Sequence, residues 1–191
     1  SVPVERVDGR TLSRAEFLIR YGKTRTPVII TNVADRMLTG APWSLPYLRS
    51  VAGQRNITLK RLATSSFQWA KLEDAESSTV AAFIDSLSTI SLTTPAADLR
   101  YLFDWSLPLY APELARELLV PPYFANDLLQ QTSPGSMYQQ SWPSLFIAPA
   151  GLRSELHVDT FGSNFWMALF QGRKRWLFFS KYLFCCSIFL C

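Results

Sequence analysis

The pattern of apolar residues changes character near residue 144, and that change limits the folds open to this 191-residue chain. Ahead of it, stretches with helical spacing alternate with β-branched runs. Behind it lie only short runs of strand character, at residues 144–148, 156–159, 165–170 and 174–179. Gln171-Gly172-Arg173 suits a tight turn between the last two. A mixed front half followed by strands alone predicts an α+β chain that is mainly β behind its helical N-terminal half. The expected architecture is helices flanking part of a β-barrel or jelly roll.

The front half carries clear start and stop signals. Ser13-Arg14-Ala15-Glu16 fits a capping box, Phe17, Leu18 and Tyr21 supply an apolar face, and Gly22 is a natural stop. Pro27-Val28-Ile29-Ile30-Thr31 reads as a buried strand. Ser44 caps a helix that runs past Leu48 and Val51 to Gly53, and residues 57–62 read as another strand. Val80, Phe83, Ile84 and Leu87 fall on one side of a helix over 79–87. A strand over 99–105 and a proline-started helix over 112–119 follow, the latter ended by Pro121-Pro122. Residues 132–140 read as loop. The predicted organisation is therefore 1–140 as an α/β region packing on the barrel, 141–179 as the first part of the barrel, and 180–191 as an apolar divergent tail.

Apolar residues make up 48% of the chain and aromatics 14%, enough for a substantial core. The net charge of +4 is spread out, apart from Arg173-Lys174-Arg175, and is sparser than a nucleic-acid footprint. Cys185, Cys186 and Cys191 are the only cysteines, so neither a disulfide framework nor a zinc site is predicted. From Trp176 onward Lys181 is the only charged side chain, but that run of 16 residues is shorter than the roughly 20 needed to span a bilayer.

The chain holds a single histidine, His157, in Ser154-Glu155-Leu156-His157-Val158-Asp159. On a strand, His157 and Asp159 project from the same face. Such a pair supplies two-thirds of the facial triad of two histidines and a carboxylate that holds Fe(II). In isolation the tripeptide reads as well as a hydrogen-bonded pair on a half-buried strand.

The surroundings of the pair carry more. Ser154, His157, Asp159, Trp166, Gly172, Lys174 and Trp176 occur in that order, with Lys174 fifteen positions after Asp159. Together they resemble the small Jumonji-C hydroxylases, which have serine or threonine three before His-x-Asp, an aromatic strand, then Gly-x-Lys-x-Trp. Tyr101-Leu102-Phe103-Asp104 and Pro122-Tyr123-Phe124-Ala125-Asn126-Asp127-Leu128 resemble segments of the arginine-demethylase and lysyl-hydroxylase branch. Pro27-Val28-Ile29-Ile30 resembles the family's entry strand. The resemblance covers roughly residues 25–179.

The resemblance implies a cupin-like double-stranded β-helix, Fe(II) and 2-oxoglutarate as cofactors, and hydroxylation of a C–H bond. By matched position, His157 and Asp159 are the implied iron ligands. Lys174 is the implied partner of the distal carboxylate of 2-oxoglutarate, with Tyr101 and Ser154 beside the cosubstrate. Other readings stay open: Lys174 as a solvated turn lysine, Tyr101 as a core aromatic, Ser154 as a loop residue. Trp166 and Trp176 read as core packing. A protein is the implied substrate, with a modified RNA base as an alternative and no DNA motif or membrane partner.

Two departures stand out. Met167 occupies a position where the branch carries a cosubstrate-facing asparagine, and Asn164 lies three positions earlier. No histidine follows Asp159, so the resemblance implies a metal triad incomplete in this chain, as expected of a truncated product whose residues 180–191 replace further strands. Two functional readings follow: an oxygenase relative inactive on its own, and a catalytically silent Jumonji-like module that binds a protein partner.

Overall fold

A computed structural model describes residues 2–63, 69–125, 127–159 and 162–179. Near the N-terminus, β1 (Glu5–Asp8) pairs in parallel with β2 (Val28–Thr31). Between them lies α1 (Arg14–Phe17), which continues as a π-helical turn, Leu18–Gly22. Ser13 Oγ accepts the Glu16 backbone N–H at 3.1 Å, as the capping signal predicts. The Glu16 carboxylate accepts from Arg20 on the next turn. The Tyr123 hydroxyl, held by the carbonyls of Gly9 and Leu12 at 3.0 and 2.9 Å, fastens this unit to a later segment.

The middle of the chain forms an antiparallel pair, β3 (Asn56–Leu62) and β4 (Leu72–Thr79). The sequence reading finds β3 and misses β4. Leu-Glu-Asp-Ala-Glu-Ser-Ser-Thr has few of the side chains that mark a strand. Its pairing is supported by charge: Lys60 lies opposite Asp74 and Arg61 opposite Glu73, and both pairs form ion pairs. A backbone bridge between Lys60 and Tyr101 joins β3 to β5 (Leu102–Ser106). β5 in turn pairs antiparallel with β6 (Ser144–Ile147).

Helices cover these sheets. α2 (Leu45–Ala52) is capped by Ser44 and α3 (Val80–Ser86) by Thr79, each side chain accepting a backbone N–H from the first turn. α4 (Leu107–Tyr110) and α5 (Pro112–Glu117) follow β5 directly. The sequence reading missed α4, a single turn capped by Ser106. Val80, Phe83, Leu102, Leu107, Ala111 and Leu114 are almost wholly buried and form the centre of the main core. A smaller cluster holds Ala70, Leu72, Leu99, Tyr101 and Leu152.

Glu117, the last residue of α5, ties the loop before α2 to this core. Its carboxylate accepts from Trp43 Nε1 at 2.9 Å and from the Tyr47 hydroxyl at 2.6 Å. The bond to Glu117 favours the neutral phenol and so raises the Tyr47 pKa, with burial acting in the same direction. Glu117→Ala leaves both donors without this acceptor. It is expected to cost about 2–3 kcal/mol in urea unfolding, and to bring the ultraviolet titration of Tyr47 down towards the ordinary tyrosine range.

The expected strands at 156–159, 165–170 and 174–179 form no ladder among the described residues. The α+β character is present, built from three two-stranded sheets. The segment at 165–178 is held by rings instead. Trp166 stacks on Phe124 at 5.2 Å, Phe170 packs on Trp43 at 5.3 Å, and Phe165 packs on Trp176 at 5.1 Å. Gly172 at φ +89° supplies the left-handed residue of the bend between the two arms. No helix among the described residues is long and apolar enough to cross a membrane.

Candidate functional site

His157 and Asp159 lie together. His157 Nε2 is 3.6 Å from Asp159 Oδ1, and both side chains are largely shielded from solvent. The other ring nitrogen, Nδ1, is 2.7 Å from the Glu155 carbonyl oxygen. A carbonyl only accepts, so Nδ1 carries a hydrogen. Nε2 lies on the side of the ring facing the carboxylate oxygen. An imidazole nitrogen and a carboxylate oxygen side by side are groups that a divalent cation can take together, and a backbone carbonyl on the far nitrogen is a common way to orient a metal-binding histidine. The pair comes together without the strand that the alternation argument assumed, after a bend at Leu156. The Glu155 backbone N–H, bonded to the Ala70 carbonyl at 3.4 Å, anchors the approach to it. Ser154, half-buried, lies on the same approach between buried Leu152 and His157.

A second carboxyl lies within electrostatic reach of Asp159. β5 carries a one-residue bulge between Leu102 and Trp105, and Asp104 within it adopts φ +52°. Bulges and left-handed residues re-aim a side chain out of the ladder. Asp104 reaches solvent, yet loss of hydration raises its pKa, and the charge of Asp159 pushes in the same direction. Hydrogen bonds involving Ser144 and Trp142, with the charge of Lys60, oppose the rise. The sequence offered one signal for Asp104, its place in the Tyr101-Leu102-Phe103-Asp104 segment. Among the described residues, no three histidine, cysteine, aspartate or glutamate side chains are grouped to hold a metal. His157 and Asp159 are thus suited by chemistry to two positions around a divalent ion that takes nitrogen and oxygen ligands.

Lys174 and Tyr101 meet through a residue that the sequence reading did not single out. Tyr101 is buried, and its ring packs edge-on against Phe103 at 5.1 Å. Phe146, on β6, packs edge-on against Phe103 at 5.2 Å and lies 6.2 Å from Tyr101. The Lys174 ammonium lies 5.9 Å from the Phe146 ring centre and 4.5 Å over the Trp176 ring. Lys174 is half-buried, whereas Arg173 and Arg175 are exposed. Trp176, read from sequence as core packing, is half-buried outside both core clusters, and its face carries the ammonium. Trp166, half-buried, stacks on Phe124, and both lie outside the two core clusters, whereas the sequence reading places Trp166 in the core. Met167 and Asn164 both face solvent. Two surface clefts, one beside Leu87 and Pro149 and one beside Arg36 and Pro121, are lined by none of His157, Asp159, Tyr101 or Lys174.

No family model matches the chain. Curated relatives do. A bifunctional arginine demethylase and lysyl-hydroxylase of Caenorhabditis elegans is 26% identical over 91% of this chain and 40% of its own length. An arginine-specific demethylase of Arabidopsis thaliana is 24% identical over 89% of this chain and 30% of its own. Lysine-specific demethylase 8 of Danio rerio is 31% identical over 84% of this chain and 36% of its own. The chain spans about two-fifths of the length of the Caenorhabditis relatives it matches. These similarities run along nearly the whole chain: the chain is a relative of the Jumonji-C demethylases and hydroxylases.

Proposed function

We propose that this chain carries part of an Fe(II) and 2-oxoglutarate site of an oxygenase that hydroxylates or demethylates a protein side chain. The observation that carries the reading is the His157–Asp159 pair, with Nδ1 tied back to a carbonyl and Nε2 turned to the carboxylate. Support comes from relatives named as arginine and lysine demethylases and as a lysyl-hydroxylase. A jelly-roll barrel completed by further strands belongs to the same proposal.

The bound metal and cosubstrate would supply the oxidising chemistry. The chain's own residues bind and orient. His157 and Asp159 would hold two positions of the metal. Lys174 would neutralise the distal carboxylate of 2-oxoglutarate, since an anion taken out of water needs a compensating cation. Tyr101 and Ser154 would border the cosubstrate. This chain contains one histidine, so the third ligand of a two-histidine triad must come from outside these residues.

The chain alone is expected to bind 2-oxoglutarate with Mn(II) in calorimetry and to release no succinate when supplied with Fe(II). Lys174→Ala should weaken that binding by about 30-fold or more, as expected for removing one partner of a charge pair. Unchanged binding in Lys174→Ala would defeat the assignment of the lysine. Succinate release by the chain alone would defeat the claim that a further ligand is needed. Absence of any metal-dependent binding would favour a silent protein-interaction module.

A further inference from the structure

We propose that the cleft beside Arg36 and Pro121 is a docking site for a partner protein, taking an extended segment that carries a carboxylate next to an apolar side chain. The inference stands apart from the metal site, since none of the residues placed there lines this cleft.

The cleft forms where three segments meet. The Thr39 N–H donates to the Glu117 carbonyl at 2.9 Å and the Leu119 N–H to the Met37 carbonyl at 2.7 Å, which zips residues 37–39 against 117–119. Pro121 then continues with extended backbone, φ −61° and ψ 150°. Pro121 and Pro122 carry no N–H, so this stretch offers ring carbons and no backbone donors. Val33 and Met37 line the cleft as well. Gly9 lets the chain pass close to Val33, because a Cβ on it would overlap Val33 Cγ2. The enclosed space is about 400 Å³.

Arg36 is the one charged side chain among the described residues that line the cleft. Its guanidinium is fixed at two points. Nε donates to the Asn32 carbonyl at 3.1 Å and Nη2 to the Gly9 carbonyl at 3.2 Å. The same Gly9 oxygen holds the Tyr123 hydroxyl, so one acceptor sets both side chains in the cleft. Neither acceptor on Arg36 is a carboxylate, and Nη1 makes no hydrogen bond among the described residues. A guanidinium tethered this way has already given up much of its rotamer freedom. Its remaining edge presents planar donors that match a carboxylate.

Charge complementarity then selects the occupant. An apolar cleft with one unmatched cation fits an anion beside an apolar group, whereas a cationic or wholly apolar segment leaves the charge unpaired. The rim selects a chain over a small molecule. Leu119 is 52% exposed and Val120 43%, so the cleft stands open along that side. Small-molecule sites bury about 70–90% of their ligand, which an open cleft does not achieve. A protein segment can lay one apolar side chain on Leu119 and Val120 and carry the rest of its length outside.

The probe is a capped leucine–glutamate–leucine peptide, titrated into the full chain and followed by NMR at the Arg36 Nε–H and the Val33 and Val120 methyl groups. These signals should shift together and saturate. A leucine–glutamine–leucine peptide should bind about fivefold more weakly, the upper range for an exposed ion pair. Added salt should shrink that ratio. Arg36→Gln should bring the two peptides level. Val120→Ser, at an exposed position that leaves the fold intact, should weaken both peptides and keep their ratio.

Equal binding of the two peptides by the wild type overturns the inference, as does a preference that survives in Arg36→Gln. Saturating shifts confined to other parts of the chain, or no shifts at all, overturn it too. If 3-methylbutyrate binds here as tightly as the peptide, the cleft is a site for small carboxylic acids and the docking role is overturned.

Discussion

Phe83→Ala is expected to cost about 3–5 kcal/mol of folding stability, the usual range for emptying a buried aromatic site. Phe83 is 1% exposed and lies in the main core with Val80, Leu102, Leu107 and Leu114. Those neighbours come from α3, α4, α5 and β5, so no single element can shift to close the void. Single domains are stable by only about 5–15 kcal/mol, so this one change should remove a large fraction of the total. Urea unfolding followed by circular dichroism would show a lower midpoint with little change in slope. Leu92→Ala is the control, because Leu92 is 89% exposed and should move stability by no more than about 0.5 kcal/mol. Equal effects at the two positions would contradict the placement of the core.

His157→Ala is expected to lower Mn(II) affinity by about 100-fold or more, since losing an oriented ligand exceeds the 10–100-fold cost of losing its supporting partner. The imidazole is the only one in the chain, so nothing among its own residues can replace it in kind. Asp159→Asn should weaken the metal as well, because it removes the charge and keeps the shape. Glu155 contributes its backbone carbonyl to His157, so Glu155→Gln should leave metal affinity near wild type. Water-proton relaxation by Mn(II) measures all three. Affinity that is unchanged in His157→Ala would mean that the metal binds elsewhere.

The parts of the fold legible in the sequence were those governed by local signals. Ser13 and Ser44 each cap the helix predicted from them, because a hydroxyl before an apolar period offers an acceptor to free backbone N–H groups. Thr79, read as the first residue of its helix, is its cap. β2, β3, β5 and β6 follow their β-branched and aromatic residues. β4 was not legible, because its polar residues gain their partners only once β3 lies beside them. The run of strands after residue 148 was over-read. Its apolar alternation is present, but a ladder needs neighbours, and none pairs with it among the described residues.

The candidate site divides in the same way. The nearness of His157 and Asp159 follows from two positions in one short segment, so spacing alone suggested it. Phe146 could be read from sequence only as one more apolar residue of a strand. Its contacts with Tyr101, Phe103 and Lys174 come from two other parts of the chain, far apart in sequence. Asp104 likewise gains its orientation from a register shift between β5 and β6, which no local pattern encodes.

The acidic strand β4 has a consequence for how this molecule meets other copies of itself. Among the described residues it borders its sheet, with β3 on one side only, and it displays Asp74 and Glu76 to solvent. An incoming backbone that tried to extend the sheet there would have to bury carboxylates already engaged with Lys60 and Arg100. Fibril-like growth is therefore discouraged at this border, and a stranger must approach from another side.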